Sequence, residues 1–387
     1  MKELAGLLEK HLQEICLVPS RHVGSPGLAA AADYIENSLK GMGYTVDREP
    51  FETTGWRFGF MQLWDLDNAC CEVPGALPCF FSQSCNVTGV PVWLNDEALK
   101  HLTSEMVKDK LCIVEFFSEA ADIRGRNGVA EELDRLGAAG AIFISDASYH
   151  TTCAASTKIQ RSPDLKTLGT AVVSESGAYY LARNRHHRYK LLIDADTFPN
   201  TSYNVVAVRQ GTGSKRAVIG AHYDAAPLGH AACDNASGVA CVLELARIFK
   251  DKLPEWTLEF AFFDAEEYCK EGIMPTGSNS FVQAHKDRKW EFFMNFDSVG
   301  MAWSEDALHV GRKEDLPEFV SCYQILPMKN AGDDRSFDCA GVPTLWFNSH
   351  EKYRDFHTPL DSIATMDFNS MARFVEDGAS VLEQLCR

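Results

Sequence analysis

The sequence predicts an α/β fold in which a mixed sheet is sandwiched by helices and a second, smaller α/β domain is inserted. Towards the C-terminus, apolar strands alternate with helices, which is typical of a sheet covered on both faces. Residues 62–198 differ, with short buried strands and one or two small helices. At 387 residues the chain is also long for one core. We therefore expect a discontinuous main domain, residues 1–61 and 199–387, interrupted by residues 62–198.

The elements of the main domain follow from the spacing of apolar residues. After an N-terminal helix, Leu28, Ala32, Ile35 and Leu39 recur at the spacing of a second helix, and an edge strand is expected from Tyr44. The remaining predicted elements are a helix over 238–250 and strands over 204–208, 217–220, 257–263, 292–296 and 343–347.

The inserted domain is predicted from shorter segments. A helix is expected between Gly128 and Gly137, and the basic run from Arg183 to Lys190 is interpreted as a solvated helix face. The predicted strands cover 90–94, 111–116, 141–144 and 170–173.

Composition argues against several classes of function. A formal net charge of −17 does not suit nucleic acid or an anionic membrane surface. No apolar run approaches the roughly 18 residues that span a bilayer, and the N-terminal residues lack the apolar segment of a secretion signal. The odd number of cysteines, 13, indicates free thiols in a reducing compartment, so we expect a cytoplasmic protein.

Four of the cysteines are close in sequence in the predicted inserted domain. Their spacing matches no zinc pattern, so a metal clip is the weaker interpretation and free thiols the stronger one. They are Cys70, Cys71, Cys79 and Cys85.

Acidic and imidazole side chains follow the ends of the predicted strands. His222 and Asp224 follow one strand, the pair Glu266 and Glu267 follows another, and Asp297 follows a third. In an open α/β sheet the binding site lies at the carboxyl ends of the strands. We therefore expect these side chains to converge, together with Asp234 before a helix and His357 after the last strand.

This set of side chains favours a two-metal centre. Two imidazoles and three carboxylates suit zinc, with manganese or cobalt as substitutes. Two ions about 3.5–4 Å apart need a bridging carboxylate, and each then takes one imidazole and one terminal carboxylate. That count is met by His222, Asp234, Glu267, Asp297 and His357.

Neighbouring carboxylates have further expected roles. Asp224 can accept the second N–H of His222, and Asp361 could do the same for His357. Adjacent side chains diverge, so one member of the Glu266–Glu267 pair can bind metal while the other acts as a general base.

Five segments resemble those of the co-catalytic zinc peptidases of the M28, or aminopeptidase Y, family. The N-terminal RHVGSPG is also similar to the opening of that family. The segments are HYDAAPLGHAACDNASG at 222–238, DAEE at 264–267, NFDSVG at 295–300, DDRSFDCAGVPTL at 333–345 and FHTPLDS at 356–362.

The resemblance implies a fold and a set of roles. The fold would be the phosphorylase/hydrolase-like sheet of zinc exopeptidases. Asp234 would bridge two zinc ions, of which His222 and Asp297 complete one, while Glu267 and His357 complete the other. Glu266 would be the general base, with Asp224 as the partner of His222. VKDKLCIVEFF and LGAAGAIFIS resemble a protease-associated domain, which would cap the site.

The chain departs from the family pattern at four places. Cys233 precedes the bridging aspartate, Phe356 precedes His357 where tyrosine is common, and GDD at 332–334 stands in place of SDH. The segment after Glu267 is also longer than usual. No departure removes a metal ligand, so they concern substrate choice more than activity.

The predicted function is hydrolysis of N-terminal residues from short peptides. An alternative is a carboxypeptidase or dipeptidase, which needs a cationic pocket for a free carboxylate; the candidates are Arg312, Arg335 and Arg354. A single-zinc acyltransferase similar to glutaminyl cyclases and an inactive receptor-like homologue are less favoured. No nucleic-acid or membrane partner is expected, and oligomeric state is left open.

Overall fold

The fold is that of a computed structural model, and seven stretches of the chain are described. They are residues 2–115, 123–144, 164–268, 275–311, 323–329, 331–349 and 357–385, with the backbone alone described for 123–127.

The described residues contain ten α-helices and fifteen strands. The helices are α1 Lys2–Ile15, α2 Pro26–Gly41, α3 Asp96–Lys100, α4 Ser104–Val107, α5 Ile123–Arg135, α6 Glu175–Arg183, α7 Gly238–Phe249, α8 Thr276–Ala284, α9 Asp334–Cys339 and α10 Phe368–Leu385. The strands are β1 Val46–Asp65, β2 Cys71–Glu72, β3 Ala76–Pro78, β4 Cys85–Gly89, β5 Val92–Leu94, β6 Leu111–Val114, β7 Gly140–Ile144, β8 Gly169–Val173, β9 Tyr189–Arg209, β10 Arg216–His222, β11 Thr257–Phe263, β12 Phe292–Phe296, β13 Ala307–Val310, β14 Gln324–Pro327 and β15 Thr344–Asn348.

The main sheet has a parallel centre. Its order is β14-β13-β15-β12-β10-β11-β9-β1-β2, and β4 also pairs with β9. The four strands β15, β12, β10 and β11 run parallel, whereas β13 and β9 flank them in antiparallel pairing. The carboxyl ends of the parallel strands therefore meet at one edge, where ligand-type side chains were expected.

Helices cover both faces of this sheet because successive strand residues point to opposite sides. Ile219 in β10 packs into the core cluster formed with α1, α2, α7 and α10. The preceding residue, Val218, packs instead with Phe281 of α8 and Phe337 of α9. The mixed, helix-covered sheet predicted from the sequence is thus confirmed.

A long antiparallel ribbon extends beyond the main sheet. β1 and β9 pair from Val46 opposite Ala207 to Asp65 opposite Tyr189. The short edge strand expected from Tyr44 is therefore wrong in length, and β1 is covered on its outer side by β2. The proposed domain boundaries, between residues 61 and 62 and between 198 and 199, both fall within this ribbon.

A second sheet packs against the ribbon. Its order is β3-β8-β7-β6-β5, with the last four strands parallel. One face, with Ile113 and Ile142, shares a hydrophobic cluster with the ribbon and with Ala265 and Tyr268 of the main sheet. The division of the chain at 62–198 stays a prediction, but the second sheet contacts the segment that carries Glu266.

The structure also bears on the basic run from Arg183 to Lys190 and on membrane-spanning helices. The basic run does not form a helix face, because α6 ends at Arg183 and β9 begins at Tyr189. Within the described stretches, every helix is too short or too polar to cross a bilayer. The cytoplasmic location stays a prediction.

Candidate metal centre

The predicted site residues converge at the carboxyl edge of the parallel strands. His222 is the last residue of β10, Asp297 directly follows β12, and Glu267 lies four residues beyond β11. The other two come from loops: Asp234 lies in a wide helical turn before α7, and His357 follows β15 at a distance along the chain.

The side chains form two groups that share one member. The ligand atoms of His222, Asp234 and Asp297 lie within 4.8 Å of one another, and so do those of Asp234, Glu267 and His357. Elsewhere in the described part of the chain, no third such group of His, Cys, Asp and Glu is found.

Asp234 faces both imidazoles with different oxygens. Its Oδ1 lies 3.2 Å from His222 Nε2, and its Oδ2 lies 2.9 Å from His357 Nε2. His222 Nε2 is also 3.5 Å from Asp297 Oδ1, while His357 Nε2 is 2.5 Å from Glu267 Oε1. The arrangement has the symmetry of two ions joined by one carboxylate.

Because these side chains are buried, their charged forms carry a high desolvation cost. Asp234, Glu267 and Asp297 are each at most 7% exposed, and the imidazoles at most 8%. Burial alone raises the pKa of Asp234, but its contacts with His222 and His357 outweigh burial and hold that pKa well below its usual range. A cation bound there would supply the positive charge that these buried carboxylates require.

Glu266 faces the same site without belonging to either ligand group. Burial raises its pKa well above the usual range; His222 opposes that rise, and the charge of Glu267 adds to it. Two cations bound beside Glu266 would lower its pKa again.

Asp224 holds the segment that carries the two glutamates. Its Oδ1 accepts a hydrogen bond from the backbone N–H of Glu266 and its Oδ2 from that of Glu267, each at 3.0 Å. Oδ1 also lies 3.4 Å from His222 Nδ1, and the Asp224 carbonyl oxygen lies 3.2 Å from the same nitrogen. The hydrogen-bond acceptor for His222 is thus the carbonyl oxygen of Asp224, with the carboxylate close by, and the carboxylate has the additional role of fixing the backbone of the two glutamates.

Asp361 has a different partner from the one suggested by sequence spacing. Its carboxylate accepts hydrogen bonds from the backbone N–H groups of Cys233, at 2.7 Å, and Asp234, at 3.0 Å. It therefore positions Asp234 rather than His357. Local spacing suggested the wrong partner because the actual one is 127 residues away.

Two polar residues that sequence reasoning did not single out fix the loops of the site. The Arg21 side chain is fully buried and donates to the carbonyl oxygens of Tyr223, His230 and Ala231, so it holds the loop between His222 and Asp234. Asn235 donates to Phe296 O at 2.9 Å and accepts from Ser298 N at 3.2 Å, which ties the Asp234 turn to the end of β12.

The GDD segment also reaches the site. A Cβ added at Gly332 would lie 3.1 Å from Asp297 Oδ2, a tight contact that the carboxylate would relieve by a shift of a few tenths of an ångström, and 3.6 Å from Glu266 Oε1. Asp333 is buried, and burial raises its pKa to about 7. The sequence marked this segment as a departure from a pattern, and the structure places it against the ligands.

The remaining candidates are scattered. Arg335 is exposed on α9, and Arg312, Arg354 and Phe356 lie outside the described residues. The four clustered cysteines are free thiols: Cys79 is buried, Cys85 is partly buried, and the other two, Cys70 and Cys71, are exposed.

Comparison with known proteins agrees with this geometry. The model of peptidase family M28 matches residues 204–381. An aminopeptidase of Pseudomonas aeruginosa is 25% identical over 312 residues, which cover 73% of this chain and 54% of that protein. The chain thus spans about half the length of that relative.

Solved structures share the fold. The peptidase M28 precursor of Shewanella amazonensis superposes with a TM-score of 0.79 at 19% identity, covering 100% of this chain and 96% of that one. A zinc aminopeptidase from Bacillus subtilis superposes with a TM-score of 0.78 at 18% identity, covering 99% and 95%. The family match covers the segments that carry both ligand groups, so residues 204–381 are similar to peptidase family M28.

Proposed function

We propose that this protein is a metallo-aminopeptidase that holds two zinc ions and removes N-terminal residues from short peptides. The observation that carries the proposal is the placement of Asp234, whose two oxygens face the imidazoles of two separate ligand groups. A single-zinc acyltransferase would need only one such group.

The donor set fits zinc. Imidazole nitrogens and carboxylate oxygens are ligands that zinc accepts, with manganese and cobalt as weaker candidates. The first ion would be held by His222, Asp234 and Asp297, and the second by Asp234, Glu267 and His357. The Bacillus subtilis structure with the same fold is named a zinc aminopeptidase, which supports this choice.

The chain's own residues supply proton transfer and positioning. When bound, zinc would polarise the scissile carbonyl and make a nearby water more acidic. Glu266 would take the proton from the attacking water and deliver it to the leaving amine, since it faces the site and ligates neither ion. Asp224 would fix the position of Glu266 relative to the metal ligands, because it accepts hydrogen bonds from the backbone N–H groups of Glu266 and Glu267.

The acidic lining of the site suits recognition of a free amino group. Glu266 and Asp333 lie there as buried acidic groups with raised pKa values, and both can accept a hydrogen bond or a proton from a substrate amine. The carboxypeptidase alternative needs a cationic pocket instead. Of its candidates, Arg335 is exposed on α9 and the others lie outside the described residues.

The test pairs two variants of adjacent residues. Glu266→Gln is expected to retain two zinc ions per chain and lose ~10²–10⁴-fold in turnover of an N-terminal leucine amide, because it removes the base alone. Glu267→Gln is expected to lower metal affinity, because it removes a ligand charge. Elemental analysis of zinc-replete protein and steady-state kinetics measure both.

Three results would contradict the proposal. They are a zinc content that never exceeds one ion per chain, wild-type turnover in Glu266→Gln, or faster release of C-terminal than of N-terminal residues from blocked and unblocked peptides.

A further inference from the structure

A cation-rich cavity lies at the opposite edge of the main sheet from the metal centre. It has a volume of about 510 Å³ and is lined by the turn after α2, the end of β9 and the start of β10. Its charged lining consists of one carboxylate, Asp47, and four cations, Arg209, Arg216, Lys250 and Arg288.

The cavity is remote from the catalytic edge. Arg216 is the first residue of β10 and His222 is the last. Six strand steps at about 3.3 Å each separate them by about 20 Å. The cavity is therefore a separate site, and nothing in the proposed peptidase chemistry uses it.

Two of the cations are held rigidly by one carboxylate. Glu259 is fully buried; its Oε1 lies 2.5 Å from Arg216 Nη1, and its Oε2 lies 3.0 Å from Arg288 Nη1. One negative charge shared by two guanidinium groups leaves a net positive charge beside the cavity. The shared carboxylate also fixes both groups in place, which reduces the entropy lost on binding a ligand.

The other two cations, Arg209 and Lys250, are only weakly paired with negative charge. Arg209 Nε donates to the carbonyl oxygen of Lys252 at 2.6 Å, a neutral partner that orients the guanidinium group and leaves its charge. Lys250 Nζ lies 4.0 Å from the exposed carboxylate of Asp251, a distance at which an ion pair contributes little. This local excess of positive charge is opposite in sign to the net charge of the chain, −17.

We propose that this cavity binds a small, multiply charged anion of the phosphate class, either free phosphate or the phosphoryl group of a small metabolite. Guanidinium groups match phosphate oxygens in a two-pronged geometry, and the lysine adds a point charge. The volume lies within the range of small-molecule sites. Asp47 and Glu259 offset part of the charge of the four cations; a bound dianion would offset the rest, and so stabilise the folded chain.

The test is calorimetric titration of the zinc-loaded full chain with inorganic phosphate and with O-phosphoserine, at constant ionic strength. Arg209→Gln/Lys250→Gln removes two cavity charges and leaves both partners of the buried Glu259. Lys286→Gln/Lys289→Gln is the matched control, since it removes two exposed charges from outside the cavity lining. Phosphate that binds the metal centre contributes equally to all three proteins, so differences among them report on the cavity.

We expect saturable binding by the wild type, at least about tenfold weaker binding by the cavity variant, and unchanged binding by the control. Peptidase turnover should be equal in all three, which keeps this outcome independent of the proposed function. The tighter of the two ligands identifies the source of the phosphoryl group. No binding by the wild type, equal binding by the cavity variant, or an equal loss in the control would overturn the proposal.

Discussion

Asp224 and Asp361 act on the two sides of the metal centre in the same way. Each is a buried carboxylate that accepts hydrogen bonds from two successive backbone N–H groups: those of Glu266 and Glu267 for Asp224, and those of Cys233 and Asp234 for Asp361. Groups behind metal ligands commonly change metal affinity or activity 10–100-fold when replaced. These two residues act on different parts of the site.

We therefore predict separable effects for Asp224→Asn and Asp361→Asn. An asparagine keeps one acceptor oxygen, so one backbone N–H of each pair loses its partner. Asp361→Asn moves the bridging Asp234 and should lower zinc affinity ~10-fold or more, whereas Asp224→Asn moves Glu266 and should lower kcat at saturating zinc. Chelator competition and kinetics at fixed zinc distinguish the two.

Asp367→Asn provides the control. Asp367 also accepts two backbone N–H groups, from Asn369 and Ser370, but it does so at the start of α10, away from the ligands. Both bonds end on Oδ1, an acceptor that asparagine retains, so this variant should cost little stability and leave zinc affinity and kcat unchanged. If all three variants lose the same activity, the hydrogen bonds stabilise the fold only and do not position the ligands.

At the scale of single residues, the candidate ligands could be proposed from the sequence more readily than the residues that hold them. His222, Glu267 and Asp297 lie at or within four residues of the ends of apolar strands, so residue type and local position were enough to propose them. Arg21 donates to carbonyl groups 202 to 210 residues away, and a backbone acceptor has no sequence identity that could be recognised. Its role follows only from the folded chain.

Among the elements, the segment between α1 and α2 connects the site to the ribbon through one histidine. His22 is 8% exposed; its Nε2 donates to Trp56 O at 3.1 Å, and its ring packs edge-on against Trp56 and Phe80. Burial lowers the pKa of His22 to about 4. The folded chain therefore holds this imidazole neutral at pH values where the unfolded chain protonates it.

The sign of the resulting pH dependence follows from linkage. Below the unfolded pKa of 6.5 the unfolded chain binds a proton that the folded chain does not, so the free energy of unfolding falls as pH falls towards 4. From pH 7 to pH 5 the loss amounts to about 2 kcal/mol. His22→Gln should lack this pH-dependent loss of stability. The free energy of unfolding of the wild type minus that of the variant should therefore fall by about 2 kcal/mol from pH 7 to pH 5.

Denaturant unfolding at pH 7, 6 and 5 measures that difference. His101→Gln is the control, because the side chain of His101 is 75% exposed and should give no such change. A difference between wild type and His22→Gln that stays constant over this range would mean that His22 is not held neutral.

Elements with a buried apolar face were predicted well, and the ribbon was not. The strands β11 and β12 are buried at every position, and the prediction matched their bounds. β1 alternates irregularly between exposed and buried residues along 20 positions: Val46 packs against the main core, whereas Trp56 and Leu63 pack into the cluster shared with the second sheet. No single period runs through such a strand, so only its first residues were recognised.

At the scale of the whole molecule, the second sheet contacts the segment that carries Glu266 and Glu267. Phe81 packs against Tyr268 with ring centroids 5.5 Å apart, and Tyr268 directly follows Glu267. Tyr268 Oη accepts a hydrogen bond from Thr54 N at 2.9 Å, which joins the glutamate segment to the ribbon. We propose that the inserted part, residues 62–198 in the sequence-based division, narrows the entrance and restricts the enzyme to chain ends.

The restriction predicts a dependence on substrate length. The intact enzyme should cleave di- to pentapeptides and leave long denatured proteins uncut, because a narrowed entrance admits chain ends and excludes continuous chain. A series of peptides with one N-terminal sequence and increasing length measures kcat/KM, and mass spectrometry of a denatured protein substrate detects internal cuts. Internal cleavage by the intact enzyme, or kcat/KM that does not change with length, would refute the restriction.

The register of the ribbon shows where to shorten the chain. Deleting 62–198 alone would remove strand partners of residues that remain, whereas Gly55 and Phe198 are opposite each other in the β1–β9 pairing. Joining them through an Asn-Gly turn in place of residues 56–197 closes the ribbon as a hairpin.

We expect this shortened variant to accept longer peptides, while turnover of a dipeptide stays near the wild-type value. Circular dichroism and zinc content verify its fold, since Tyr268 and Ala265 lose apolar neighbours in it. A folded, zinc-loaded variant with an unchanged length profile would place the restriction in the main domain instead.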